Sequence, residues 1–461
     1  LNAVDGKKGD TEVAPAGFEP GADLTGPGRQ ELMGAKRAPQ SFCFAALFLA
    51  TWACGPSGGE PGQDADAPDG TVSSLEPVPA AVRPGIEVLL ADSLHLVRGR
   101  RAGLITNHTG IDARGVPSID RLMEAPEVEL VALYAPEHGI RGTVRGGDVI
   151  EDGLDAETGL PIYSLYGETR KPTPEMLAGV EVLLFDIQDV GARYYTYIST
   201  MALGMEAAGE AGIPFVVLDR PNPIGGVAVQ GNILNPAFSS FVGMYPIPMR
   251  HGMTAGELAR MFVGEFGVVA DLHVAPLQGW RREMMFDDTD LPWVPPSPNM
   301  PSVESALDYP GTCLLEGTNI SVGRGTDRAF QWVGAPWLEE DALAEALNRY
   351  GLPARFVPVR FTPRAPADGK YGAEEVGGVR LEGPTEDYDP VTAALALLLE
   401  IRRMSGDHWQ WRASHFDRLA GTDRLRLGIE EGWEIDSLRS GWDEELTEFR
   451  SVRERYLIYP E

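Results

Sequence analysis

Val128-Glu-Leu-Val-Ala-Leu-Tyr134 leads through Ala135-Pro136 into Glu137-His138-Gly139. A short apolar run, stopped by proline and followed by polar residues and glycine, reads as a strand buried on both faces that delivers Glu137 to its carboxyl end. The pattern repeats on either side. Residues 102–106 run into Asn107-His108, 182–185 into Asp186, Gln188 and Asp189, and 215–218 into Asp219-Arg220-Pro221-Asn222-Pro223, while 272–275 form a further strand. Between them, residues 118–123, 196–211 and 254–266 show helical spacing, with Thr254 and Glu257 placed as a capping box. Strands alternating with helices over residues 82–305 predict an α/β fold, βα units around a mostly parallel sheet.

In such a sheet, ligands bind beyond the carboxyl ends of the strands, where these polar residues gather. Asn and Asp at strand ends ordinarily serve turns and caps, which is the competing reading for each of them alone. Glu137 differs, because neither turn chemistry nor its place after Pro136 calls for a glutamate, and Gly139 and Gly142 allow backbone to approach a ligand. It is the leading catalytic candidate, with His138, Asp186 and Asp189 beside it and Asn107, Arg220 and Asn222 as binding candidates. Arg193, Tyr195 and Tyr197 offer a cation and flat rings for a sugar, although tyrosines here also suit a core. Arg250-His251 and Arg324, next to glycine, add cations whose ordinary alternative is a surface salt bridge.

The segment 291–301, Leu-Pro-Trp-Val-Pro-Pro-Ser-Pro-Asn-Met-Pro, has too much proline for a helix or a central strand and reads as an irregular surface or inter-domain passage. Residues 306–461 then read as a second α+β domain with a Gly-rich stretch, a helix over 391–403 and acidic amphipathic helices.

A chain of 461 residues with 43% hydrophobic content supports two cores. Its formal net charge of −29 argues against nucleic acid as a partner, because phosphate binding needs a basic face. Residues 1–32 show neither apolar periodicity nor helix caps and read as an over-extended start. From Met33, Lys36-Arg37 precede the apolar run 42–50 and Thr51-Trp52-Ala53-Cys54, the layout of a secretory signal over 33–53. Export to the periplasm or cell surface is the expectation. A Gly-, Pro- and Asp-rich tether over 54–81 suits a lipid anchor at Cys54, although Thr51 and Trp52 depart from the usual lipoprotein box and plain secretion is the alternative. Cys43, Cys54 and Cys313 give no disulfide framework, and Cys313 reads as a buried free thiol. No phosphate-binding loop, HExxH helix or GxSxG elbow occurs, and the histidines lack metal-ligand spacing, so no cofactor and no metal are expected.

Several strings are specific enough to carry a resemblance: Pro136-Glu-His-Gly139, Ser164-Leu-Tyr-Gly167, Phe185-Asp-Ile-Gln-Asp-Val-Gly-Ala-Arg193, Tyr195-Thr-Tyr197, Asp219-Arg-Pro-Asn-Pro223 and Arg250-His-Gly-Met-Thr254. They continue in Ser297-Pro-Asn-Met-Pro301, Glu316-Gly-Thr-Asn319, Gly323-Arg-Gly-Thr326, Gly334-Ala-Pro-Trp337 and the closing Arg453 to Tyr459. From about residue 86 onward the chain resembles the NamZ-type exo-β-N-acetylmuramidases. The resemblance implies a Rossmann-like N-terminal domain over residues 82–305, a smaller C-terminal α+β domain over 306–461 and an active-site cleft between them, and hydrolysis of a terminal N-acetylmuramic acid (MurNAc) from the non-reducing end of peptidoglycan-derived MurNAc-GlcNAc saccharides, with Glu137 as the acid. It brings Asn299, Glu316 and Asn319 into the set of binding candidates.

A second carboxylate would stand about 5 to 5.5 Å from the acid in a retaining enzyme and about 6.5 to 9.5 Å in an inverting one. Asp186, Asp189 and Glu316 are the candidates, and the substrate's own acetamido oxygen is the alternative. The lactyl carboxylate calls for a forked cation, with Arg193, Arg220, Arg250 and Arg324 available. Rival readings are a non-catalytic wall-binding lipoprotein, which would show a broken Pro-Glu-His-Gly string, and a hydrolase of another carbohydrate or ester. The sequence leaves the oligomeric state open.

Overall fold

The computed structural model describes residues 81–142, 150–383 and 387–461. The expected leader, the tether as far as residue 80 and Cys54 lie outside them. Along the chain the strands are β1 (Arg101–Thr106), β2 (Glu129–Ala135), β3 (Gly153–Leu154), β4 (Pro161–Ser164), β5 (Val182–Asp186), β6 (Pro214–Leu218), β7 (Gln230–Ile233), β8 (Pro248–Arg250), β9 (Asp271–Ala275), β10 (Trp332–Ala335), β11 (Arg355–Phe361) and β12 (Val376–Glu382). The principal helices are α1 (Gly85–Asp92), α2 (Ser118–Glu124), α3 (Tyr197–Ala211), α4 (Ala255–Phe266), α5 (Val303–Thr312), α6 (Glu340–Asn348), α7 (Pro390–Ser405) and α8 (Ala413–Ala420).

Seven strands form the central sheet in the order β3-β4-β2-β1-β5-β6-β9, all parallel except β3. The apolar runs are sorted by the two-residue period of a strand. Leu104, Leu133, Leu184 and Val216 enter one core with Ile86 and Leu89 of α1 and Leu122 of α2, while Ile105, Phe185, Phe215 and Val217 enter the other with α3 and α4. Each such side chain contributes about 1.5 to 3 kcal/mol on burial, which holds the parallel strand ends in one line. The capping box at Thr254 is formed as the sequence predicts, Thr254 accepting from the Glu257 amide and the Glu257 carboxylate accepting from the Thr254 amide.

β3, β4 and the β7-β8 ribbon have no counterpart in the sequence reading, and β9, expected to be buried on both faces, is a half-exposed edge strand. A smaller antiparallel sheet, β10-β12-β11, packs with α6 and α7 to form the second, α+β part. The core on the α3 and α4 side continues without a break into this part, through Tyr309, Leu314, Val333, Leu395 and Phe416. Residue 305, where the change of domain is expected, falls inside α5, whose start is capped by the Ser302 hydroxyl. Residues 291–301 are irregular as expected, yet Pro296, Ser297 and Met300 are buried rather than on the surface. The Tyr197 hydroxyl donates to the Pro296 carbonyl at 2.7 Å, and His108 Nε2 lies 2.8 Å from the Pro295 carbonyl, tying this passage to the strand ends.

Candidate active site

A cavity of about 260 Å³ opens where the carboxyl ends of β2 and β5 meet the second part of the chain. Glu137 and His138 come from the turn after β2, Tyr195, Thr196 and Tyr197 from the approach to α3, and Ser297 and Met300 from the proline-rich passage. The opposite wall supplies Tyr309, Glu316, Arg324, Phe330, Asp368, Arg412 and His415.

Glu137 is half-buried, and its Oε2 accepts from the Thr196 hydroxyl at 2.9 Å. Tyr166, just past β4, lies close enough to this carboxyl to feel it, and burial followed by the Glu137 charge pushes the phenol up to about 12. The next residue, His138, has φ of +72°, a left-handed conformation that L side chains seldom adopt. Such backbone strain persists where surrounding structure enforces it, commonly at functional sites. The rings form an edge-to-face series, Tyr197 to Tyr195 at 5.0 Å, Tyr195 to Tyr309 at 5.6 Å and Tyr309 to Phe330 at 4.7 Å between centroids. The wall they make is rigid and can present both ring faces and hydroxyls to a sugar.

Glu316 lines the cavity with its carboxylate on Arg324 Nε. Burial raises the acid's pKa, but Arg324 and then Lys370 and His415 outweigh it and hold Glu316 below the usual carboxylate range. Asp368, which the sequence reading missed, lies within 3.7 Å of the Lys370 ammonium and keeps Oδ2 buried without a hydrogen bond. It belongs to a loop in which Ala365, Tyr371 and Ala373 all have positive φ. Burial, opposed by Glu316, pulls Lys370 down to about 8.

The cavity thus brings together Glu137, His138, Tyr195, Tyr197, Glu316 and Arg324 from the expected residues, and the remainder are committed elsewhere. Asp186 is buried between Arg220, 2.5 Å away, and the Ser118 hydroxyl, and Arg220 Nη2 donates to the Ile111 carbonyl at 2.6 Å. Asp189 Oδ2 accepts from the Gly191 amide at 2.7 Å and lies 3.8 Å from His251 Nε2. Burial pushes Asp189 up to about 7 and His251 down to about 3, so both approach neutrality. Arg193 spends its guanidinium on the carbonyls of Asn232, Ile247, Leu419 and Ala420 at 2.8 to 3.0 Å. Arg250 donates to Gln230 at 3.0 Å and to the Ile224 carbonyl.

Asn107 accepts from Thr109, Asn222 bridges Met253 and Ile224, and Asn319 bridges His408 and Gln410, all as turn chemistry, while Asn299 is half-buried and off the cavity wall. Gly191 explains part of the long string around it: its φ is +82°, and a Cβ there would stand 2.4 Å from Asn222 Oδ1. Cys313 is free and buried, as expected. Among the described residues no group of three or more His, Cys, Asp or Glu is disposed to hold a metal ion, and no helix is long and apolar enough to cross a membrane.

A parallel-sheet domain that delivers one glutamate into a tyrosine-walled cavity closed by an α+β partner is an arrangement suited to acid chemistry on a small polar ligand. The chain belongs to the NamZ family: residues 102–304 match "Exo-beta-N-acetylmuramidase NamZ, N-terminal" and residues 307–459 match "Exo-beta-N-acetylmuramidase NamZ, C-terminal". It is 47% identical over 380 residues to the peptidoglycan beta-N-acetylmuramidase NamZ of Bacillus subtilis (strain 168), covering 82% of this chain and 91% of the relative. Two crystal structures of DUF1343 family proteins from Bacteroides fragilis NCTC 9343 share its fold. One has a TM-score of 0.77 at 39% identity and the other 0.66 at 32%, each covering 82% of this chain and 99% of the neighbour.

Proposed function

We propose that this chain is an exo-acting glycoside hydrolase that releases terminal, non-reducing, β-linked MurNAc from peptidoglycan fragments, with Glu137 as the general acid. Membership of the NamZ family and the identity to the Bacillus subtilis peptidoglycan beta-N-acetylmuramidase support the substrate class. The observation that carries the acid is the Glu137 carboxyl in the cavity, oriented by the Thr196 hydroxyl. Breaking a glycosidic bond places electron density on the leaving oxygen and positive charge on the anomeric carbon. A proton delivered from Glu137 neutralises the first as the glycosidic C–O bond breaks, Glu316 across the cavity stabilises the second, and a water that adds to the anomeric carbon completes the hydrolysis, its released proton restoring the acid. The stiff aromatic wall holds the ring in place and excludes water from that face, conditions under which orientation lowers the barrier most. Export by the 33–53 leader, with Cys54 as its anchor, would bring the enzyme to its wall substrate.

The test is aglycone release from a chromogenic β-MurNAc glycoside and from its GlcNAc counterpart, by the wild type and by Glu137→Gln. Release that prefers MurNAc and falls about 10²- to 10⁴-fold in the variant supports the assignment, that range being typical for a general acid. Folded protein inactive on both sugars would overturn it.

A further inference from the structure

We propose that Arg412 recognises the lactyl carboxylate, the group by which MurNAc differs from N-acetylglucosamine; this inference rests on the muramidase reading of the cavity. Arg324 and Arg412 are the arginines on its wall. Arg324 is engaged, its Nε on Glu316 and its guanidinium 5.1 Å from the Phe330 ring centroid. Of the other acids on that wall, Asp368 has the Lys370 ammonium 3.7 Å away and accepts from the Lys370 amide at 3.2 Å. Glu316 and Asp368 are thereby matched by Arg324 and Lys370, and Glu137, the remaining acid of the cavity, is held by the Thr196 hydroxyl, which leaves Arg412 as the cation on that wall with no acid paired to it. Among the described residues its guanidinium has neither an ion pair nor a hydrogen bond, and it is exposed to the cavity.

The base of this side chain is rigid. The Arg412 amide donates to the Gly317 carbonyl at 2.8 Å, and its own carbonyl accepts from the His415 and Phe416 amides at 2.8 and 2.9 Å. Trp411 packs edge-on against Phe416 at 4.7 Å, anchoring the preceding residue in the core. Arg412 is also the N-cap of α8, whose first turn has no side-chain acceptor, so the partial positive charge of the helix start lies beside the guanidinium. A planar donor fork on an anchored stem suits a carboxylate, and an uncharged hydroxyl, as in the GlcNAc sugar, gains little from it.

The experiment compares a chromogenic β-MurNAc glycoside bearing the free lactyl acid with its lactyl methyl ester, using full-length wild type, Arg412→Gln and Arg412→Lys. The expected result is that the acid-to-ester ratio of kcat/KM falls at least about tenfold in the glutamine variant, mainly through KM for the acid, and recovers in part with lysine. An equal loss on both substrates, or no loss on either, overturns the role of Arg412 and leaves the muramidase reading standing. Wild type inactive on both substrates overturns both. If Arg412→Gln does not fold, calorimetric binding of MurNAc and its methyl ester to wild type decides instead: preference for the acid supports an anion receptor, and equal affinity overturns it.

Discussion

The Thr196 hydroxyl donates to Glu137 Oε2 across 2.9 Å, joining the residue that precedes α3 to the turn after β2. This contact fixes which carboxyl oxygen faces the cavity. Replacing Thr196 with valine keeps the shape and removes the donor, so kcat should fall by up to about 10-fold, the worth of an ordinary hydrogen bond of about 0.5 to 1.5 kcal/mol. KM should change less. Steady-state kinetics on the MurNAc glycoside measures both, and an unchanged kcat would show that Glu137 is oriented without Thr196.

Asp186 and Arg220 form a buried pair away from the cavity, so their loss should register in stability and not in chemistry. Asp186→Asn leaves Arg220 without its counter-charge, and breaking one side of such a pair costs about 3 to 5 kcal/mol. Urea unfolding should show that decrease while the folded fraction keeps its turnover. Loss of turnover at unchanged stability would return Asp186 to the catalytic set.

Arg193 ties β8 and the β7-β8 ribbon to the end of α8 through four carbonyls. Burial draws its guanidinium down to about 10, yet it stays charged at neutral pH. Arg193→Met should lower the urea midpoint sharply, because several buried carbonyls lose their donors at about 1 to 3 kcal/mol each. Arg193→Lys, with a compact ammonium in place of the fork, should recover only part of it.

Burial pushes Asp189 and Asp308 up to about 7 and Asp219 up to about 6. An unfolded carboxyl titrates near pH ~3.9, so between there and about 7 the folded chain binds more protons than the unfolded one. Their stabilising contribution is complete below about pH 4 and is lost as pH rises through 6 to 7. Unfolding free energies measured across that window should fall less steeply in Asp189→Asn. Parallel curves for variant and wild type would contradict the assignment of Asp189 as a buried protonated acid.

These sites show what the sequence made legible. Long apolar runs such as Val182–Asp186 announce a central strand, because burial on both faces demands them and their ends follow directly. Proximity to a strand end does not say where a side chain is spent: Glu137 faces the cavity, whereas Asp186 and Arg220 satisfy each other. The Ser164-Leu-Tyr-Gly167 string served only as a family mark, although its Tyr166 lies near enough to Glu137 for the two to influence each other. Asp368 and Arg412 stand in a strained loop and at a helix start, places set by tertiary packing and marked by no local pattern. The short β4, with two of its four residues outside the strongly apolar types, was missed because its pairing to β2 supplies what its composition does not.

The apolar core that passes unbroken from α3 and α4 into α7 and α8 bears on the exo-acting reading proposed above. Parting walls joined in this way would expose some of that core to water, so on that reading a glycan would enter by its end and each freed sugar leave by the same mouth. Turnover would then resemble unstringing beads from a tip, with the pace open to control by how quickly the vacated mouth accepts the next unit.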